Sequence, residues 1–293
     1  MRTPTPRYDL EGLVNAVGLT AHAVPVDSPR DDSDEDVTVV DEPPLAVTDE
    51  PLEIGGYVDG IQRILPITYV AGRPIVLVHA GAAAVDRTGR PLVVDERAAV
   101  ICAEADLANV DGVAANSPPV RTVADGEPWE VESAVVAEIA EVRRSAERAA
   151  ATRSLEQLTG AILVDGSVVG WPRDDRVVGV AKSVGRRWLP DERLLYELPP
   201  GWRSPRFEIG GRHPRASCYL RLVDAGGQRW SHGLVRLEAH DLDTLGPLAA
   251  AALQVAQRHT EDPRWDRHLA PVAACEDVLR SRVPTVFSLA TGR

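Results

Sequence analysis

Lysine is nearly absent from this chain of 293 residues: of its 32 lysine and arginine residues, only Lys182 is a lysine. One explanation is chance, in a chain whose basic residues are otherwise all arginine. The other is that this position needs the compact point charge of an ammonium, which a planar guanidinium does not supply. The motifs around Lys182, in the stretch "VVGVAKSVGRR", bear on this choice.

Other absences narrow the class of protein. Three scattered cysteines, Cys102, Cys218 and Cys275, exclude a disulfide framework and the paired spacing of a zinc site. No apolar run reaches the roughly 18 residues of a membrane span, and the N-terminus lacks the apolar segment of a secretory signal. No Gly-x-Ser-x-Gly or His-Glu-x-x-His motif is present, which argues against a serine hydrolase of that type and a zinc protease. We therefore expect a reduced, cytoplasmic protein with no membrane partner.

The net charge of −12 is unevenly distributed. Residues 27–50 carry ten acids and one arginine, so the rest of the chain is much less acidic. Clusters of arginine elsewhere could contact DNA phosphates, or they could be ordinary solvated charges. The clustered arginines are Arg143, Arg144, Arg148, Arg186, Arg187, Arg203, Arg206, Arg212, Arg215, Arg264 and Arg267.

Composition divides the chain into three segments. Residues 1–18 are predicted to form a short helical segment. Residues 19–51 have few large apolar side chains and are predicted to be an acidic flexible linker, which could dock on a partner or shield a basic groove as a DNA mimic. Ordered structure is expected from about Leu52, so residues 52–293 would form the folded domain.

Hydrophobic patterning predicts a mixed α/β (α+β) fold. From Ile54 two strands are expected with a kink at the Asp59-Gly60 step, followed by a buried strand over 73–86 that completes a meander. Residues 86–125 are interpreted as mixed and rich in loops. Further strands are predicted at 161–166 and 176–184 and in a hairpin over 217–240, with helices over 128–158, 242–259 and 270–280.

Two predicted strands end in the same dipeptide, Asp59-Gly60 and Asp165-Gly166. An aspartate at the end of a buried strand is unfavourable unless it is hydrogen-bonded or bound to a cation, and Mg²⁺ and Mn²⁺ prefer carboxylate oxygens. Each dipeptide is also a common turn signal on its own. The predicted long helix before Asp165 offers further carboxylates at Glu138, Glu141 and Glu147.

These motifs, taken in order, resemble the NurA nucleases. The segment "GYVDGIQRI" is similar to the family's first strand with its Asp-Gly motif, and "RRSAERAA" is similar to its helix carrying an Arg-x-x-x-Glu segment. The segment "LTGAILVDGSV" is similar to the second Asp-Gly strand, and "VVGVAKSV" to the following Val-Gly-x-x-Lys strand. The resemblance extends from residue 54 to about 280.

The resemblance implies an RNase H-like mixed sheet flanked by helices and a metal-dependent DNA nuclease. It implies Asp59, Glu147 and Asp165 as ligands of Mn²⁺ or Mg²⁺, with a two-ion site, and Lys182 near the scissile phosphate or the attacking water. It also implies a HerA-like hexameric ATPase as partner, a homodimer, and a role in DNA-end processing (repair) or antiviral defence.

The final segment departs from the family. There a Tyr-Pro-x-Pro-Leu stretch followed by Ala-His supplies an active-site Tyr and His, but here the stretch reads "DPRWDRHLAPVAACEDVL". Trp265 could stand at the Tyr position, and Cys275 or His268 near the His position. His240 and His268 could handle protons or could simply lie at the surface.

Two other functions remain open from the sequence. The departure at the C-terminal end and the acidic overall charge are consistent with a catalytically weakened nuclease-fold subunit, which would serve as a docking or DNA-binding part of an ATPase complex. An RNase H-like enzyme directed at RNA is the third interpretation.

Overall fold

The computed structural model describes residues 35–110, 117–171, 173–182, 187–224, 226, 229–256, 269–285 and 287. It is a mixed α/β fold in which helices cover both faces of a large sheet with parallel and antiparallel pairs. This confirms the predicted mixed α/β class. Within the described residues, no helix is long and apolar enough to cross a membrane.

Twelve strands form the sheet, in the order β1-β10-β11-β12-β8-β7-β3-β4-β5-β6, while β2 pairs with β9 and β9 with β11. The strands are β1 Val37–Val39, β2 Leu45–Ala46, β3 Ile54–Val70, β4 Arg73–Asp86, β5 Pro91–Ala103, β6 Val120–Val123, β7 Ala161–Asp165, β8 Val177–Ala181, β9 Trp202–Arg203, β10 Phe207–Ile209, β11 Arg215–Arg221 and β12 Leu234–Ala239. The helices are α1 Pro128–Leu155, α2 Arg193–Glu197, α3 Leu245–Val255 and α4 Ala270–Arg280, with a 3₁₀ helix over Glu104–Asn109.

The meander consists of β3, β4 and β5, which pair antiparallel in chain order. Two expectations are corrected here. The predicted kink at Asp59-Gly60 is absent, because β3 runs without interruption through both residues and its irregularity lies between Pro66 and Thr68. Part of the region 86–125, predicted to be rich in loops, is the 13-residue strand β5, which forms a hairpin with β4 and packs against α1.

Helix α1 covers one face of the sheet, close to the predicted bounds. It begins with proline in its first turn and a capping box in which the Glu127 backbone N–H donates to the Glu130 carboxylate at 3.0 Å. Its apolar stripe includes Val135 and Ile139, which pack against β4 and β5, and Ala150, which packs against β3 and β7. Helices α3 and α4 cover the opposite face.

The prediction of a flexible acidic linker over residues 19–51 is wrong in part. Residues 1–34 lie outside the described part of the chain, but 35–51, expected to belong to a flexible linker, contain β1 and β2. Strand β1 pairs with β10, and Glu42 accepts hydrogen bonds from Arg203 Nη1 at 2.7 Å and from the Arg206 backbone N–H at 2.9 Å. Glu42 therefore neutralises arginines of the folded domain.

The C-terminal elements lie near their predicted positions. Helix α3 begins at Leu245, three residues after the predicted start, and ends at Val255, four residues before the predicted end, because the backbone of Ala256 is extended. Residues 257–268 lie outside the described chain. Helix α4 has the predicted bounds. Trp265 and His268 fall in that undescribed stretch.

Candidate functional site

Asp59 and Asp165 lie beside each other on parallel strands. The pairing between β3 and β7 ends at Val58 and Val164, and the two aspartates are the residues that immediately follow on the two strands. Strand β7 ends there while β3 continues, which opens the sheet beside Asp59. Because side chains alternate along a strand, both aspartates point toward the face covered by α3 and α4, as Tyr57 does.

Glu147 lies beside the same part of β3, but on the opposite face of the sheet, where α1 packs. A Cβ atom added to Gly60 would lie 2.4 Å from Glu147 Oε1, so the glycine after Asp59 leaves the space that the glutamate carboxylate fills. Arg143, one turn earlier on α1, places its Nε 3.4 Å from the same oxygen. The second residue of the Asp-Gly motif is therefore explained by close packing inside a strand, not by a turn.

Lys182 joins this group through β8. Asp165 is in register with Val180, and Lys182 lies two residues further, just past the end of β8. Its Nζ donates to Asp165 Oδ2 at 2.7 Å. The four residues singled out in the sequence are thus brought to one edge of the sheet by three strands and one helix.

The site is electrostatically unusual because it buries two carboxyl groups and raises the pKa of both. Asp59 and Glu147 are each only 6% exposed. Burial, and next the charge of Asp165, hold the pKa of Asp59 well above its usual range, although Lys182 opposes this. Burial also raises the pKa of Glu147, in spite of the opposing charge of Arg143.

Helix α4 contributes two residues near this edge. Cys275 is buried, its Sγ donates to the Tyr57 carbonyl oxygen at 3.4 Å, and burial raises the pKa of its thiol to about 12, so it remains a protonated thiol. Glu276 adds negative charge that also raises the pKa of Asp59. The sequence analysis missed Glu276; the signal available was its position next to Cys275 in the segment that departs from the NurA pattern.

The other carboxylates of α1 are used elsewhere. Glu138 accepts a hydrogen bond from Arg121 at 2.5 Å. Glu141 pairs with Arg144 at 3.1 Å and also with Arg148. Of the three glutamates considered from the sequence, only Glu147 lies near Asp59, Asp165 and Lys182. We call these four residues the acidic site.

Most of the clustered arginines that the structure describes are paired with acids. Arg203 and Arg206 share Glu42, while Arg215 contacts Glu35 at 2.8 Å and Glu238 at 3.4 Å. These three do not form a continuous basic surface. Arg186, Arg264 and Arg267 lie outside the described residues.

The donor chemistry of the site fits a hard divalent cation. Carboxylate oxygens are the ligands that Mg²⁺ and Mn²⁺ prefer, and a bound cation would oppose both the burial and the repulsion from Asp165 that raise the pKa of Asp59. As the side chains stand, no three His, Cys, Asp or Glu residues of the described chain are grouped closely enough to hold one metal ion. Asp59 and Asp165, on adjacent strands, are the residues best placed to begin such a site.

No protein-family model matches the chain, and no curated protein matches it in sequence. Its function is therefore argued from the site itself.

Proposed function

We propose that this chain is a NurA-like, metal-dependent DNA nuclease with an RNase H-like core. The observation that supports this most is that Asp59, Asp165 and Lys182 lie on one face of the sheet at the edge where β7 ends, with Glu147 next to Gly60 on the other face. Two of these carboxyls have a raised pKa in the absence of a cation. Buried acids with perturbed pKa values and a nearby lysine are typical of functional sites, and this set suits phosphodiester hydrolysis.

Each residue has a distinct part in the proposed reaction. Asp59, Glu147 and Asp165 would hold Mn²⁺ or Mg²⁺ in a two-ion arrangement. The bound metal supplies charge stabilisation for the phosphate and an activated water. Lys182 Nζ, 2.7 Å from Asp165, would place its point charge on a non-bridging phosphate oxygen as negative charge develops there. Gly60 keeps the space for Glu147 open.

The wider assignment follows from the same resemblance. We propose a cytoplasmic homodimer that acts on DNA ends together with a HerA-like hexameric ATPase, in DNA repair or in antiviral defence. The contact with the ATPase would bring DNA to the sheet edge that carries Asp165 and Lys182.

Cleavage of linear DNA by purified protein with Mn²⁺, alone and with its ATPase, tests the proposal. Asp59→Ala and Asp165→Ala should each reduce the rate at least about 100-fold, because each removes a proposed metal ligand. Asp191→Ala is the matched control, since this aspartate is exposed and pairs with the exposed Arg193. Unchanged cleavage in both site variants would refute the assignment, and parallel RNA and hybrid substrates test the RNA-directed alternative.

One observation favours a second candidate, a nuclease-fold subunit with weakened catalysis. The Lys182 ammonium already neutralises Asp165, and no described group of three ligands is assembled. A metal-free site stabilised in this way would suit a docking or DNA-binding part of an ATPase complex. Thermal unfolding with Mn²⁺ separates the two, because a bound ion raises apparent stability: a shift in wild type that is lost in Asp59→Ala favours the enzyme, and no shift favours the subunit.

A further inference from the structure

A second concave site lies between the loop that joins β7 to β8 and the turn that joins β10 to β11. It is an open cleft of about 140 Å³, smaller than the usual small-molecule site and suited to a small polar group. Arg173 and Trp171 line it from the first loop, Arg212 and His213 from the turn, and Arg215 and His240 from β11 and the end of β12. No aspartate or glutamate is among the residues that line it.

Two of these arginines differ from most arginines of the described chain. Arg173 and Arg212 are exposed and make no ion pair with any described acid, whereas Arg176 next to the cleft pairs with Asp174 at 2.9 Å. An unpaired guanidinium retains all five of its N–H donors for a ligand. Two of them at one cleft therefore favour an anion with several acceptor oxygens.

His240 adds a further unsatisfied group. Its Nε2 is buried and has no hydrogen-bond partner among the described residues. A buried polar atom without a partner is unfavourable unless a ligand or water satisfies it. A ligand oxygen in the cleft, between His240 and the two arginines, would supply that partner.

Arg215 lines the cleft and contacts Glu238, which is hydrogen-bonded to the loop that follows Asp165. Its guanidinium contacts Glu238, whose carboxylate accepts hydrogen bonds from Ser167 Oγ at 2.5 Å and from the Val168 backbone N–H at 2.9 Å. Ser167 lies two residues after Asp165. The same loop thus carries a proposed metal ligand at its start and Arg173 of the cleft further along.

We infer that this cleft binds a phosphate monoester group, held by Arg173 and Arg212 and by the Nε2 atom of His240. Such a group has three acceptor oxygens and a double negative charge, which suits two guanidinium groups and one further donor. The phosphate could come from a small organic phosphate or from the 5′ end of a nucleic-acid strand. The inference stands independently of the proposed nuclease activity.

Binding titrations with three probes test it: inorganic phosphate, a nucleoside 5′-monophosphate, and a single-stranded oligonucleotide with or without a 5′-phosphate. Trp171 in the cleft provides a fluorescence signal, with calorimetry as the second measurement. Arg173→Ala and Arg212→Ala should each weaken binding of the monophosphate at least about tenfold, as expected for loss of a charge-assisted hydrogen bond. Arg193→Ala, an exposed arginine of α2, is the control and should bind as wild type does.

The outcomes separate both the source of the phosphate and the two proposals. Preference for the 5′-phosphorylated oligonucleotide over its 5′-hydroxyl form, lost in the cleft variants, assigns the site to strand ends. Binding of the small phosphates alone assigns it to a small organic phosphate. No binding, or equal binding by wild type and both cleft variants, overturns the inference. Asp59→Ala should retain phosphate binding, so a failure of the nuclease proposal leaves this result unchanged.

Discussion

Two regions of the molecule bury acids to a similar degree, but the pKa values of these acids are shifted in opposite directions. Glu238, on β12, is fully buried between positive charge and hydrogen-bond donors. Its Oε1 lies 2.6 Å from Arg236 and 3.4 Å from Arg215 in ion pairs, and its Oε2 accepts hydrogen bonds from Ser167 Oγ and the Val168 backbone N–H. Burial alone would raise the pKa of Glu238, but these partners outweigh it and lower the pKa.

The acidic site shows the reverse. Asp59 and Glu147 are also buried. Among the described residues, however, the Asp59 carboxylate receives a hydrogen bond only from the Gly60 backbone N–H at 2.7 Å, and Glu147 has only the Arg143 guanidinium at 3.4 Å. Burial and the neighbouring charge of Asp165 raise the pKa of both. Glu238 is neutralised by neighbouring groups of the protein, whereas Asp59 and Glu147 are not, and buried acids of the second kind are the ones typical of functional sites.

The largest expected effect is the loss of Glu238. Glu238→Ala leaves the Arg215 and Arg236 charges buried without their shared partner, and it removes the acceptor for Ser167 and Val168. We expect the free energy of unfolding to fall by about 3–5 kcal/mol, measured by urea denaturation. Glu208→Ala, at an exposed position of β10, is the control, with a change of less than about 0.5 kcal/mol. A fall of under about 1 kcal/mol for Glu238→Ala would remove the contrast between the two regions.

Glu42 extends the comparison to a second neutralised acid. Burial acts to raise the pKa of Glu42, but Arg206 and Arg203 outweigh it and lower the pKa to about 2. Since the pKa is lower in the folded state than in the unfolded chain, this stabilisation is present above about pH 4.5 and is lost as the pH falls toward 2.

Glu42→Gln should therefore unfold more easily than wild type by about 2 kcal/mol at pH 7, a value reduced for partial solvent screening. The difference should shrink steadily between pH 4.5 and 2. Urea denaturation of both proteins at four pH values measures it. A difference that stays constant over this range would show that the effect arises from packing and not from the charge of Glu42.

At Asp59 the dependence of stability on pH should have the opposite sign. Because the pKa of Asp59 is higher in the folded than in the unfolded state, its contribution to stability is fully present below about pH 3.8 and is lost as the pH rises through the folded-state pKa. In metal-free buffer with a chelator, Asp59→Asn should match wild type near pH 3.5 and exceed it by about 1 kcal/mol at pH 8.

Stability measured with Mn²⁺ provides a second test of Asp59. Addition of the ion at pH 8 should stabilise wild type and leave Asp59→Asn nearly unchanged, so that the order of stability reverses. Thermal unfolding with and without the ion measures both effects. If wild type is the more stable protein at pH 8 without metal, then Asp59 is a satisfied structural acid like Glu238.

The parts of this molecule that the sequence predicts are those set by local pattern. The apolar stripe of α1 and the continuous apolar runs of β4 and β7 give their positions closely. The order of the Asp-Gly motifs, the helical Glu147 and the later strand with Lys182 also indicates which side chains to examine together. Chain order is informative here because parallel strands place their carboxyl ends at one edge.

The parts that it does not predict depend on distant partners. Residues 35–51 resemble a linker in composition, and only the buried arginines of β9 and β11 explain why they join the sheet. Gly60 resembles a turn signal, and only the Glu147 carboxylate against it shows that it belongs inside a strand. Glu276 carries no motif, and its proximity to Asp59 results from the way α4 packs across β3.

The smallest expected change in stability is that of Lys182→Arg, and it bears on the single lysine of the chain. The Lys182 side chain is 29% exposed and that of its partner Asp165 is 20% exposed. Replacement of the lysine by another cation should therefore alter the free energy of unfolding by less than about 0.5 kcal/mol. Cleavage should nevertheless fall about tenfold or more, because a planar guanidinium cannot place a compact charge on the phosphate in the same way. Rates and urea denaturation curves for the same preparations separate the two effects, with Arg187→Lys as the reverse exchange outside the acidic site. Near-normal cleavage by Lys182→Arg would mean that any cation suffices next to Asp165, and the retained lysine would then reflect composition alone.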